Sequence, residues 1–576
     1  MTSLALLLQC SLILPSTVGA GPSHPGAPVY GTDAVGRMMP EADEVPSFRD
    51  DRYVAAFYFL WLNLDYVFDV SEILNENPQA RDTNASPPWG PHNAFHFWGE
   101  PLYGYYRSND PWVIRRHAML LADAGVDFLI FDTTNAVIYE EAFMALCEVF
   151  DEMRQEGTRV PQIAFMVNTR AGETAEAIYN VLYEPGLYPE LWFHWRGKPL
   201  MLCDPDEASD TIKEFFTLRK AHWPFELVNT QNAWHWEAIY PQVYSYEYDP
   251  YVPEQVNVSV GQNLHQEDGR VEMMSTGHAR GRSFHESRVD DRPDAYKYGF
   301  NFEEQWQRAF ELDPEVVFIT GWNEWIAMQL NPEEGGRPVF CDQYNLEFSR
   351  DAEMMKGGYG DNYYVQMAAN IRRFKGMDPQ PVPVGATIDI DGSFDQWDAV
   401  ENVYEAHALA TLPRDFPGCG DHHYTVTSGR NDFRQLKVAH DDDAIYFYIE
   451  TRDPVSPHTD PNWMWLFIDV LGDGELDWEG FSYFVNREPT GPEQTSVDIS
   501  VGGWEWRSVG SVDYRVEGNQ MHVAVPRSFL RIPEGDFAIE FKWIDNMQNP
   551  GDIMDVYTHG DAAPLGRFRY RYGNRL

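Results

Sequence analysis

Residues 110–135 read "DPWVIRRHAMLLADAGVDFLIFDTTN". Asp110 can cap a helix, Pro111 suits its first turn, and Gly125 can end it. The apolar run Val126–Phe131 follows at once and stops on Asp132. A capped helix feeding a short, nearly continuous apolar strand is the repeat unit of a parallel sheet buried on both faces. A strand that ends on a carboxylate and the polar stretch Thr133-Thr134-Asn135 calls for a function at that end.

The same texture recurs outward from this unit. Apolar runs occur at 54–61 (VAAFYFLW), 162–168 (QIAFMVN), 198–204 (KPLMLCD), 225–230 (FELVNT), 242–248 (QVYSYEY), 256–262 (VNVSVGQ) and 315–322 (EVVFITGW). Asn301 and Glu304 make a capping-box-like pair before another amphipathic stretch. Eight strand candidates with intervening helices predict an α/β fold, a (β/α)8 TIM-like barrel over 45–376. A doubly wound sheet is the alternative, but no glycine-rich phosphate loop follows any strand. Several runs end on a polar residue: Asp132, Asn168, Asp204, Glu247, Gln262 and Glu324. In a barrel such ends share the face that carries the active site.

Composition bounds the rest. The chain has 576 residues, too many for one ordinary core. Its formal net charge of -47 argues against nucleic acid as a partner. Residues 1–20 have the form of a signal peptide: Leu4–Leu14 is apolar but too short to span a bilayer, and Val18-Gly19-Ala20 supplies small residues for cleavage. This predicts a secreted or periplasmic protein without a membrane span. Cys147, Cys203, Cys341 and Cys419 lack metal-type spacing and read as buried thiols. Residues 377–386 are a Pro/Gly linker. Beyond it, 387–576 alternates polar and apolar residues with turns such as Glu517-Gly518-Asn519, which predicts an all-β sandwich.

The chemistry concentrates at "FITGWNEWIAMQLNP" (318–332), where Trp322 and Trp325 flank Asn323 and Glu324. Sugars stack on indole and bond through their hydroxyls to amides and carboxylates. Glycoside cleavage needs two carboxyl groups, one to protonate the leaving oxygen and one to attack or activate water. Glu324 is the first candidate; Asp132 and Glu247, the latter within "YSYEYDPY", are candidates for the second. Tyr58 and Trp61 end the first strand, and Trp98 and Tyr103 lie in an aromatic loop at 88–106. With Asn168 and Asp204 these are expected to bind substrate. His92 and His96 in that loop are a weak metal candidate. "GHARGRSFHESR" (277–288) is a basic island, and Arg280, Arg282 and His285 there predict a subsite for a sulfated or uronate-bearing glycan. The acids Asp342, Glu347, Asp351 and Glu353 suit a loop at the cleft rim or a Ca²⁺ site.

The segment 103–136 together with "FITGWNEW" resembles the glycoside hydrolases related to families 71 and 99. The resemblance implies a (β/α)8 enzyme acting on a polysaccharide, with Glu324 catalytic. Family 99 carries a second Glu three residues later; here that position is Ala327, so the second carboxylate must come from elsewhere. "IDIDGSFDQWDA" (388–399) resembles the opening of family 9 carbohydrate-binding modules, which implies sugar binding and Asp469, Asp473 and Glu475 as Ca²⁺ ligands. No cofactor is implied for catalysis, beyond a possible structural Ca²⁺. The alternatives are a non-catalytic glycan-binding protein of the same fold and a polysaccharide lyase with a Tyr/His base.

Overall fold

The computed structural model describes residues 28–573 except 331–334, 380, 381, 384, 473 and 475; the signal-peptide stretch lies outside them. Eight parallel strands form a nearly closed barrel: β1 (Tyr53–Tyr58), β2 (Phe128–Thr133), β3 (Gln162–Val167), β4 (Lys198–Leu202), β5 (Thr217–His222), β6 (Ala233–His235), β7 (Gln255–Val258) and β8 (Val316–Ile319). Their order around the barrel is their order in the chain, and β8 closes on β1 with Val316 opposite Tyr53. Only the β6–β7 seam lacks a ladder. There the Gln255 side chain substitutes for it: Nε2 donates to His235 O (3.0 Å) and Oε1 accepts from His235 N (2.9 Å).

Helices α1 (Pro111–Ala124), α2 (Glu140–Gln155), α3 (Ala171–Ile178), α4 (Asp210–Phe215), α5 (Phe300–Leu312) and α6 (Asn362–Lys375) cover the outside, and neither β5 nor β6 is followed by one. Asp110 caps α1 as expected, accepting from Trp112 N and Val113 N, and Gly125 ends it at φ 90, a left-handed position that suits glycine. Period-two alternation decides which side chains enter the barrel. Ala55, Phe57 and Phe59, Phe128 and Ile130, Ala164 and Met166, and Val316 and Phe318 pack together in its interior. Val54, Ala56 and Tyr58 pack outward with the helices.

Two expected strands are corrected. Residues 225–230 form no strand but an outer loop, with Phe225 69% and Leu227 96% exposed. Residues 242–248 make only isolated bridges. The barrel uses 217–222 and 233–235 instead. "TLRKAH" hides its strand character because its buried Arg219 is paired, as described below. The Asn301–Glu304 capping box does not form either. α5 starts at Phe300, and Asn301 Nδ2 donates to Ser259 O (3.0 Å) at the end of β7.

The C-terminal region is mostly β, a 12-stranded antiparallel sheet curled so that its halves face each other. The long strand Glu505–Glu517 belongs to both halves, pairing with Gln494–Gly502 and then with Gln520–Pro526. Phe447 meets Phe541 across the interior at 5.6 Å. Val29–Tyr30, before the barrel, adds a strand to this sheet against Arg569–Tyr570. The two regions share polar anchors. Arg414 binds Asp110 (2.7 Å), His407 binds Asp123 (2.9 Å) and Arg567 binds Asp361 (2.8 Å), which fixes α1 and the start of α6 against the β region.

Candidate active site

Because the strands are parallel, Asp132, Asn168, Asp204 and Glu324 all lie at or just beyond C-terminal strand ends, on one rim. A pocket of about 210 Å³ opens there. Its acids are Asp132, Glu324 and Asp342, Arg350 is its cation, and Phe59, Trp61, Trp223, Phe225 and Trp236 give it an aromatic wall. Asn168 also lines it and accepts from Trp223 Nε1 (3.0 Å), which sets that indole.

Glu324 is 3% exposed. Arg350 Nη2 and Gln343 Nε2 both donate to its Oε2, the latter at 2.8 Å. Burial pushes its carboxyl well above the ordinary range, against the opposing pull of Arg350. Arg350 also reaches Glu237 Oε1 (3.4 Å) and Asp342 Oδ1 (3.8 Å), and lies over the Trp236 ring at 4.5 Å. Burial raises Glu237 to about 7 and Asp351 to about 7. Asp132, whose Oδ1 accepts from Thr134 N (3.0 Å), is likewise raised by burial. One arginine thus faces more buried carboxyl groups than it can neutralise. Such a cluster holds protons near neutral pH, the condition for general acid catalysis.

The turn after β8 is held from behind. Asn323 Oδ1 accepts from Phe59 N (2.8 Å) and its Nδ2 donates to Phe59 O (3.2 Å), so its amide clamps the end of β1. Asp351 Oδ1 accepts from Glu324 N at 2.6 Å. Glu353 accepts from Trp325 Nε1 (2.6 Å) and Tyr106 Oη (2.7 Å) and contacts His117 Nε2 (2.9 Å), whose other ring nitrogen meets Tyr58 Oη (2.9 Å). Trp98 stacks on Trp325 at 4.5 Å and donates to Glu324 O (3.1 Å). Trp322, Trp325, Trp98, Tyr58 and Tyr103 are all buried in the packing beneath the turn and do not line the pocket. Gly321 is needed here, because a Cβ would lie 2.3 Å from Arg350 O.

The other expected site residues lie elsewhere. Glu247 is at the N-terminal end of the barrel, bound to Arg196 (2.8 Å) and Arg219 (3.2 Å). Asp204 is on the rim but pairs with Lys220 (2.9 Å). Gln262 is buried and donates to Ala238 O (2.7 Å). Arg280 donates to the carbonyls of His265 and Gln266. Arg282 is fully buried, bonded to Ser349 Oγ (2.9 Å) and Asp351 O (2.8 Å) among Tyr359 and Tyr363. His285 packs against Phe300 with their rings tilted by 32°. None of these three lines the pocket, and Arg282 instead supports the 342–353 loop from within.

Among the described residues no group of His, Cys, Asp and Glu is arranged to hold a metal. Asp473 and Glu475 fall outside the described residues, and Asp469 accepts from Ser482 Oγ (2.6 Å). His96 is buried between the carbonyls of Ala94 and Trp89. Within 388–399, Trp397 is buried and donates to His522 Nδ1 (3.0 Å). Among the described residues no helix is long and apolar enough to cross a membrane. Arg350, Gln343, Glu237 and Trp236 were not foreseen as site residues, whereas Asp342 does lie at the cleft as the rim loop suggested. A signal for Arg350 existed: a lone arginine in the acidic stretch 342–353.

No family model and no curated protein matches the chain. Among solved structures, it is similar to a GH99 endo-alpha-mannosidase of Bacteroides thetaiotaomicron. One structure, with Bis-Tris-propane bound, has 15% identity and TM-score 0.32, covering 56% of this chain and 97% of the other. Another of that enzyme has 16% identity and TM-score 0.31, covering 56% and 98%. A glycoside hydrolase-like protein has 12% identity and TM-score 0.31, covering 57% and 96%. Superposition this loose transfers no residue's role, and the chemistry is read from the pocket itself.

Proposed function

We propose that the protein is an exported glycoside hydrolase that cleaves a neutral polysaccharide at the C-terminal mouth of its barrel. The observation that carries this reading is the pocket in which Asp132, Glu324 and Asp342 meet beside an aromatic wall. Glu324 is the proton donor: Arg350 and Gln343 occupy Oε2, which leaves Oε1 to carry the proton to the glycosidic oxygen. The second carboxylate, which attacks the sugar or activates water, is Asp132 or Asp342. Indole and phenyl faces supply stacking for sugar rings. A neutral substrate fits because Arg350, the pocket's cation, is already engaged by carboxylates, while Arg280 and Arg282 are bonded elsewhere.

The test is release of new reducing ends from α-glucan, mannan and β-glucan polysaccharides, followed by D132N and D342N on the substrate found. Loss of turnover by at least about 100-fold in one of the two assigns the partner. No reducing ends from any polymer would sink the reading. A second reading, a glycan-binding protein without turnover, draws on Ala327 and on the locked Oε2 of Glu324; it predicts saturable binding with no products.

A further inference from the structure

The pocket does not end at its own walls. Trp61 lines it, and the same indole lines a second cavity of about 330 Å³ whose wall includes Tyr139 and Asn109. The rings of Trp61 and Tyr139 are 6.5 Å apart, and Tyr139 feels the charge of Asp132, so the second cavity adjoins the acid cluster. Tyr139 has φ 53, a left-handed conformation that is uncommon for a bulky residue and often marks a functional position. Two polar atoms on this wall, Trp61 Nε1 and Asn109 Oδ1, are buried with no hydrogen-bond partner. An open donor and an open acceptor on residues that line one cavity are what sugar hydroxyl groups satisfy, once the side chains turn toward it.

On the other flank, the aromatic surface continues outward. Trp236 is 4.8 Å from Trp223, and Trp223 stacks on Phe225 at 6.3 Å with planes 5° apart. Phe225 is 69% exposed on the helix-free β5–β6 connection, an apolar face left open at the pocket rim.

We propose that the cleft holds at least three consecutive sugar rings of a neutral glycan: one at the carboxyl cluster, one beyond Trp61 in the Tyr139 cavity, and one on the Trp223–Phe225 face. This rests on the glycan reading above and adds its substrate class, an extended chain rather than a disaccharide. Each flanking ring adds stacking area and hydroxyl contacts, so affinity grows with chain length until both flanks are filled.

The experiment is calorimetric titration of the Glu324→Gln protein with manno-, malto- and cello-oligosaccharides of two to six units. In the series that binds, the six-unit chain is expected to bind at least about 10-fold tighter than the two-unit chain. Tyr139→Ala and Phe225→Ala are each expected to remove about 5-fold of that gain, the scale of truncating one aromatic contact. Tyr139→Phe, which keeps the ring, should keep the gain. Affinity independent of length, or an undiminished gain in both alanine variants, overturns the proposal and leaves the hydrolase reading standing. Binding of no series overturns both, and the wild-type reducing-end assay reports on the hydrolase reading alone.

Discussion

The barrel carries an arginine–carboxylate cluster at each end, and the two are built differently. At the N-terminal end, Arg219 grips Glu254 through Nε (3.0 Å) and Nη2 (2.6 Å), and Arg196 grips Glu315 (2.5 Å) and Glu247 (2.8 Å). Two guanidinium groups there hold Glu254 and Glu315 in forked, bidentate geometry and share Glu247 between them. At the C-terminal end Arg350 alone faces Glu324, Glu237 and Asp342, with Asp132 and Asp351 close by. Burial raises the carboxyl groups of Glu324, Glu237, Asp351 and Asp132. A matched cluster is a fastener. An unmatched one, open to a pocket with aromatic walls, is a store of protons for chemistry.

The contrast predicts opposite responses. The largest effect on stability belongs to the lower cluster. Glu254→Ala takes from the buried Arg219 its bidentate partner, leaving Glu247 (3.2 Å), and should cost about 3–5 kcal/mol, read by denaturant unfolding. A loss under about 1 kcal/mol would show that the lower cluster is not the fastener. Next comes the brace behind the catalytic turn. Asp351→Ala leaves Glu324 N without its acceptor and should cost about 1–3 kcal/mol, along with turnover. Intact turnover would mean that the turn holds itself.

The smallest effect is a slope. Glu237 is raised from 4.5 to about 7 in the fold. The folded state therefore keeps this proton where the unfolded chain has lost it, and stability falls as pH rises from about 4.5 to about 7. Glu237→Gln removes that term, so its Tm should vary less with pH across this window than that of the wild type. Parallel Tm–pH curves would remove Glu237 from the unmatched charge.

What the sequence revealed follows the same divide. The barrel was legible wherever strands were mainly apolar, as at Phe128–Thr133 and Val316–Ile319, and where capping chemistry was local, as at Asp110 and Gly125. It was illegible at Thr217–His222, where a buried charge pair disguises the strand, and at 225–230, where apolar residues serve an exposed loop. In the site, Asp132, Asn168, Trp61 and Glu324 could be placed because each follows its strand's end. Glu247 could not, since a carboxylate near an apolar run does not say at which end of the barrel it lies. The tryptophans beside Glu324 suggested a pocket wall, yet at 0% exposure Trp322 and Trp325 are packed under the turn. The actual wall comes from Trp223, Phe225 and Trp236 on other connections. Arg350 and Asp342 arrive on the long loop after β8, and only the folded chain brings them to Glu324.

The two clusters meet in one assay. Glu324→Gln and Glu247→Gln each replace a carboxylate by its amide, the first at the C-terminal mouth and the second at the N-terminal end. Turnover of both would be measured beside wild type on the polysaccharide that yields reducing ends. The unmatched-cluster account predicts that Glu324→Gln loses at least about 100-fold with its fold retained, while Glu247→Gln turns over like wild type. Wild-type turnover in Glu324→Gln, or an equal loss in Glu247→Gln, would contradict it.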